Sequence, residues 1–559
     1  MVFTDSRMED THMKRKLWIS LLLAVVMTLL AAVALADGST YTFITTTDSE
    51  PATLNQVKGW TGDYFNNTYL LQSPLFRYHN GTIVNELCTE YTVSDDGLVY
   101  TFTLRDAQYN DGVAVTAADC VYMLKCYLDP ANGASAATFY SSQNIVNAAA
   151  FASGEITDFN EVGAKALDDH TFQITLDAPN SRLVFYMAYY MYCPLRQDVF
   201  EAYGDAMGSS PDKMVYSGPY VLTDWTSSTS ISMEKNPLYW NAENSFPTET
   251  IVHLLVGDSN TTYSLYENGD ADVVLSLDAE YVSLIPESEL SNVPANYMPM
   301  FWCNPQGTDE EAGKLMSNLN FRKALNYALN RELIVNAITP LYTANVRMFS
   351  PYHTVDGVNM FDTYQPDTVP TTGDFEKAQA YLAAAMEELG YTSVDQLPTI
   401  HLVTYENSNY KLYAETVIDQ WNQVLGIKNV QFDQYAVGTA LGMIYSAEFD
   451  IFLIGNDMGP TPDELMAMFL PGNEYDFGGC WESPEYEEFV TAMKAAQALE
   501  GQEGYADALA VAEQKFLDAS IILPIYRSSE VAAVKSYVSG YEATILGRGY
   551  LLDNLVVSK

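Results

Sequence analysis

Up to about residue 300 the chain is dominated by short stretches in which apolar and polar residues alternate. Beyond it, apolar residues recur every three or four positions between short apolar runs. Alternation predicts half-buried strands, and the three-to-four spacing predicts helices with one buried face. Strands are therefore expected at Tyr41–Thr47 (YTFITTT), Val99–Leu104 (VYTFTL), within Ala166–Leu176 on either side of Asp168-Asp169, at Ile231–Lys235, Ile251–Val256 and Asp272–Leu275. Asn80-Gly81 and Asp95-Asp96-Gly97 are hairpin turns, because Gly supplies the positive φ that such turns need. Ser217–Leu222 (SGPYVL) is a Gly-Pro turn leading into a strand. Helices are expected at Asp63–Leu75 and Thr261–Gly269. Another is expected from Thr116, with Asp119 completing a capping pair and Val121, Met123, Leu124 and Leu128 on the buried side.

Past residue 300 the order becomes strand, helix, strand. Asn320–Ala337 is an amphipathic helix with a break at Asn330. Asp374–Gly390 and Lys411–Leu425 are helices. Ile400–Thr404, Val430–Phe432, Phe449–Ile454 and Ile521–Tyr526 are strands, and Pro484–Leu517 gives two helices parted near Gly501–Gly504. Strands alternating with helices indicate open α/β lobes. A chain of 559 residues exceeds one ordinary core, so two to four lobes are expected. No internal repeat or low-complexity linker separates them.

Composition narrows the function. Hydrophobic residues make up 48% and aromatics 13%, which excludes a disordered chain. The formal net charge of -45, from 72 acidic and 27 basic residues, argues against nucleic acid as a partner, since such binding needs a basic footprint. The 40 tyrosines offer apolar area with a polar tip, which suits mixed ligands, although most are expected to be structural. Lys14-Arg15-Lys16, the apolar run that follows to about Leu35, and Ala34-Leu35-Ala36 before Asp37 form a secretory signal, with Met13 a candidate start. An uncleaved anchor is the alternative. The protein is thus expected outside the cytoplasm. Cys88, Cys120, Cys126, Cys193, Cys303 and Cys480 are spread too widely for a disulfide framework and read as buried small residues.

Catalytic signatures are missing. The chain has no G-x-S-x-G, P-loop, H-E-x-x-H or G-x-G-x-x-G, and no two of its six histidines lie at helical metal spacing. Adjacent carboxylates such as Asp95-Asp96 and Glu310-Glu311 read as turns and solvated faces. The chain reads as a non-enzyme with no cofactor.

One block connects these observations. Tyr109–Pro130, "YNDGVAVTAADCVYMLKCYLDP", resembles the signature of the extracellular solute-binding proteins of family 5, which serve peptide and nickel ABC importers; Asp111, Gly112, Thr116, Ala117, Asp119 and Asp129-Pro130 carry the match. Glu50–Asn55 (EPATLN), "YTVSDDGLVYTFTLRDAQYNDG", "SGPYVLTDWTSSTSISMEKNPLYW", "YENGDADV", "NFRKALNYALNRELIVNAI" and "LPIY" follow in that family's order. The resemblance implies a periplasmic-binding-protein-like (type II) α/β clamp of two lobes with an additional inserted lobe. By order, residues 37–84, 216–300 and 521–559 would form the first lobe, 85–215 the inserted lobe and 301–520 the second, after a 1–36 signal. Asp111 and the helix from Thr116 would be architectural.

The resemblance also implies a ligand site. Peptide binders of the family hold the ligand's α-ammonium with an Asp shortly before an x-P-[DE] segment. In "FDIFLIGNDMGPTPDELMAMF" a direct alignment puts Met458 at that position, and a one-residue gap restores Asp457. Asn456, Trp60, Tyr64, Trp302 and Asn304 lie in segments that line the family's cleft, and Arg347 is a candidate for a ligand carboxylate. No metal ligand is assigned. The function implied is capture of oligopeptides for a membrane ABC permease, by a monomer. Alternatives are the same fold binding oligosaccharides or a nickel or other metal chelate, a peptide-sensing receptor, and a secreted hydrolase.

Overall fold

The computed structural model describes residues 42–559 apart from 48–49, 52, 60–69, 80–81, 135–136, 142, 181, 189–191, 276, 294–296, 338, 340, 356, 458–460, 472–474, 476–478, 529 and 545–548. The N-terminal signal, Trp60 and Tyr64 therefore lie outside the described residues. So does most of the expected helix Asp63–Leu75, and its described end, Leu70–Leu75, is not helical.

Three sheets organise the chain. A seven-stranded mixed sheet runs in the order Leu290–Val293, Glu530–Val534, Val273–Val274, Thr42–Thr47, Thr250–Leu255, Ser230–Lys235, Tyr220–Thr226. Thr42–Thr47 pairs parallel with both of its neighbours. A four-stranded antiparallel sheet orders Cys88–Val93, Val99–Leu104, Thr171–Thr175, Ala164–Ala166. Its centre keeps the alternation read from the sequence, with Tyr100, Phe102 and Leu104 buried. A five-stranded sheet orders Val430–Tyr435, Ile400–Tyr405, Ile451–Asp457, Tyr297–Cys303, Ile522–Pro524.

The crossing strand of the five-stranded sheet is a continuous apolar run because both of its faces are covered. In Tyr297–Cys303 every residue after Tyr297 is buried. The helices Leu319–Tyr327, Phe375–Leu389 and Ser408–Leu425 share one core with Phe301, Leu402 and Leu453. Pro484–Gln497 and Tyr505–Asp518 share the other with Met298, Met300 and Trp302. A strand buried on both sides loses the period-two pattern, which is why this segment reads as a plain apolar run.

Two connections join the seven-stranded and five-stranded sheets. One leads from Leu290–Val293 into Tyr297–Cys303, and the other returns from Ile522–Pro524 through Tyr526–Arg527 to Glu530–Val534.

The recognised motifs hold this frame together. Asp119 accepts hydrogen bonds from the Thr116 N–H (2.8 Å) and hydroxyl (3.1 Å), fixing the helix start. Asp111 accepts from the Val113 N–H and pairs with Arg196 at 3.2 Å, which is a structural tie. A Cβ on Gly218 would lie 2.6 Å from the Gln72 backbone nitrogen, so the Gly-Pro turn needs glycine there. Asn236 of "NPLYW" donates to the Gly218 carbonyl at 2.9 Å, while Tyr239 and Trp240 donate to the buried Glu86 carboxylate. Arg77 bridges Glu86 (3.1 Å) to Asp553 (3.1 Å), tying the hairpin to the C-terminal segment. All six cysteines are buried thiols.

Candidate functional site

The crossing strand Tyr297–Cys303 begins where the chain leaves one sheet for the other. Its first residue is flanked on both sides. Tyr297 pairs with Asp457, the last residue of Ile451–Asp457, and its carbonyl accepts hydrogen bonds from the N–H (3.0 Å) and hydroxyl (3.1 Å) of Ser528 on the returning connection. Asn456 sits opposite Met298. Asn456 and Asp457 are thus held by the sheet at the junction of the two lobes.

Tyrosines dominate this junction. The Tyr297 hydroxyl meets the Tyr410 hydroxyl, and the Tyr405 ring lies 5.0 Å from the Tyr410 ring. The Tyr413 and Tyr526 hydroxyls are 2.7 Å apart, and Tyr342 stacks on Tyr526 at 4.6 Å. Burial, then neighbouring tyrosines, push the Tyr410 and Tyr526 phenols well above their ordinary range, so both stay protonated as neutral donors. Gly455 leaves room for them: a Cβ there would fall 2.2 Å from the Tyr297 oxygen and 2.3 Å from the Tyr410 oxygen. This cluster escaped the sequence reading because its members are scattered over about 230 residues.

A second contact joins lobes directly. Arg182, which follows the four-stranded sheet in the chain, pairs with Asp463 (2.9 Å) and Glu464 (3.9 Å) and also donates to the Thr461 hydroxyl. Asp463 and Glu464 open the helix Glu464–Met468, which packs in the core of the five-stranded sheet. Arg182 and Asp463 are largely buried by this contact.

The profile of the family described as Bacterial extracellular solute-binding proteins, family 5 Middle matches residues 82–477. The chain belongs to this family. Among curated relatives of this family-5 protein is the oligopeptide-binding protein OppA of Bacillus subtilis (strain 168). It is 26% identical over 450 residues, covering 79% of this chain and 78% of that protein. The dipeptide-binding protein of Lactococcus lactis subsp. cremoris (strain MG1363) is 26% identical over 501 residues, covering 85% and 87%. The fold matches the crystal structure of Haemophilus influenzae OppA in complex with RPPGFSPFR, with a TM-score of 0.72 at 24% identity over 93% of this chain and 100% of that one. The type II two-lobe clamp with its inserted lobe is thereby established for this protein.

The predicted site residues separate into groups. Asn456 and Asp457 are brought together at the lobe junction. Trp302 is not part of it: its side chain is 1% exposed and is boxed by Phe469, Tyr475 and Trp481 in the core. Asn304 lies beyond the far end of the same strand. Its Nδ2 donates to the Phe449 carbonyl (2.9 Å) and its Oδ1 accepts from the Gln306 N–H (2.9 Å), which makes it a turn residue. Strand geometry carries them away: Asn304 is seven positions from Tyr297, roughly 23 Å along an extended chain. Arg347 is buried, but Glu513 holds its guanidinium at 2.8 Å and the Phe361 carbonyl accepts from its Nη1 at 2.8 Å, so it is not available to a ligand. Among the described residues no group of His, Cys, Asp and Glu is placed to hold a metal ion.

Proposed function

We propose that this protein is the extracytoplasmic solute-binding component of an ABC importer, and that it captures short peptides by hinge closure and delivers them to a membrane permease. The observation that carries the reading is the placement of Asn456 and Asp457 at the strand end beside the lobe crossing, a position from which a ligand would reach both lobes. A carboxylate at that point offsets the desolvation of a peptide α-ammonium, which would otherwise oppose binding. The two curated relatives named for oligopeptides and dipeptides support the same class. The reading assigns no catalytic role to any residue, takes Lys14–Ala36 as an export signal, excludes nucleic acid as a partner and treats the protein as a monomer.

The lobes in this reading follow the sheets. Residues 42–84, about 216–295 and about 528–559 form the first lobe, 85–215 the inserted lobe and about 296–527 the second. The strand memberships of Tyr297–Cys303 and Ile522–Pro524 support this placement of the crossings over 300/301 and 520/521.

The test is native mass spectrometry of residues 37–559, followed by denaturation and identification of what is released. Short peptides are the expected result, and a released sugar would discard the peptide assignment. Asp457→Asn then separates roles. It should weaken binding of a free peptide by roughly tenfold or more while leaving an N-acetylated peptide unaffected, because only the free amine presents a charge to that carboxylate. Equal losses for both peptides would remove Asp457 from the site.

A further inference from the structure

Arg182 is braced where it leaves the inserted lobe. Its N–H donates to Asn180 Oδ1 at 3.1 Å. Asn180 Nδ2 in turn donates to the carbonyl (3.2 Å) and Oε1 (3.0 Å) of the buried Gln143. The Tyr100 hydroxyl donates to the Asn180 carbonyl at 3.0 Å. The next residue, Leu183, is fully buried in the core of that lobe. The guanidinium lies 5.6 Å from the Phe185 ring and 5.5 Å from the Tyr186 ring. A cation held in this way loses little freedom when it meets a partner.

Its partner is the segment that follows the strand Ile451–Asp457. Arg182 reaches Asp463 (2.9 Å) and Glu464 (3.9 Å) and donates to the Thr461 hydroxyl. Asp463 is also met from the second lobe. Burial first, then Asp463 and Glu500, push the Tyr505 phenol above its ordinary range. A neutral hydroxyl therefore faces the Asp463 carboxylate from the start of the helix Tyr505–Asp518. Leu465 and Met466 are buried in the core that this helix covers. The segment is thus seated on the second lobe and gripped from the inserted lobe. Thr461 stands four positions after Asp457, so the strand end lies within roughly 14 Å of the gripped residue. A charge-assisted hydrogen bond spans only about 2.7–2.9 Å, and a drift of the strand end by about an ångström breaks it.

We propose that Arg182 is a positioning residue of the ligand site. It holds the Thr461–Glu464 segment against the inserted lobe and so fixes where the strand end at Asp457 stands in the closed clamp. The inference rests on the reading of Asp457 as the partner of a peptide α-ammonium. The inserted lobe then takes part in recognition without touching the ligand: its docking sets the geometry in which a free amine is told from a blocked one. A contact that only kept the lobes together would act on every ligand alike, and that difference makes the role measurable.

The test is calorimetric titration of the full exported chain and its variants with two probes, mixed tripeptides with free termini and the same mixture N-acetylated. The wild type should bind the free mixture roughly tenfold or more tightly than the acetylated one. Arg182→Met should bring that preference below about threefold, because the released segment no longer holds Asp457 within reach of the amine. Thr461→Val keeps the side-chain shape, removes the hydroxyl and should lower the preference by less. Asp463→Asn added to Arg182→Met should change the preference no further, since both belong to one grip. If Arg182→Met weakens both mixtures equally, or neither, the proposal is overturned and the peptide reading survives. If the wild type itself shows no preference, Asp457 loses its role and the proposal falls with it. If it binds neither mixture, the peptide reading falls as well. Should Arg182→Met lack a melting transition, Thr461→Val decides, and an unchanged preference there overturns the proposal.

Discussion

At the residue scale, Glu513 shows how completely a buried charge is matched here. One carboxylate takes two donors from Arg347 and two backbone N–H groups, at 2.8 to 3.4 Å. Arg347→Met would leave Glu513 buried with only the backbone donors, and breaking a buried pair from one side costs about 3–5 kcal/mol. Urea denaturation should show that loss as a lower midpoint with an unchanged slope. His253 is kept neutral instead. It is fully enclosed in Thr250–Leu255, and burial alone pushes its imidazole down to about 3. The folded chain therefore holds it neutral, while the unfolded chain protonates it below about 6.5. Folding excludes a proton that unfolding admits, so stability falls as pH drops from about 6.5 toward 3, by up to about 1.4 kcal/mol per pH unit. His253→Phe should flatten that stretch of the melting-temperature-against-pH curve, and an unchanged slope would contradict the assignment.

At the scale of elements, the site depends on a close approach. Gly455 lets the strand Ile451–Asp457 lie under the hydroxyls of Tyr297 and Tyr410. Gly455→Ala forces a Cβ into them, and overpacking of this kind costs about 1–3 kcal/mol. The shifted strand should also weaken ligand binding, measured by calorimetry, because Asn456 and Asp457 follow directly. Most elements were legible in the sequence. The break at Asn330 is real: Asn330 caps the helix Arg331–Asn336 by accepting from the Leu333 N–H. Gly501 and Gly504 part the helices Pro484–Gln497 and Tyr505–Asp518. These signals are local, carried by a cap or a positive φ. Trp302 and Asn304 were named for the cleft by family resemblance, and non-local packing sets Trp302 in the core and Asn304 at a turn.

At the scale of the molecule, the lobes meet through Arg182 and the Asp463–Glu464 helix start. Such a contact exists only when the inserted lobe and the five-stranded-sheet lobe are close together. Arg182→Ala should shift the population toward open forms. Small-angle scattering of the ligand-free protein should then report a larger radius of gyration. Stopped-flow release of a bound peptide should be faster, since affinity changes of this kind reside mostly in the off-rate. An unchanged scattering profile together with unchanged release would show that the pair does not hold the clamp.

The sequence by itself determined the element types, the turns and caps, the fold class and the family. Each is written either in a period of a few residues or in motifs that keep their order along the chain. Only the tertiary structure decided which side chains meet. It set Arg347 against Glu513, 166 positions away. It brought Tyr297, Tyr410 and Tyr526 to one junction. The physical reason is that pairing of charges and donors is settled by sheet register and by the crossings between lobes. Those join residues hundreds of positions apart, where no local pattern can record the outcome.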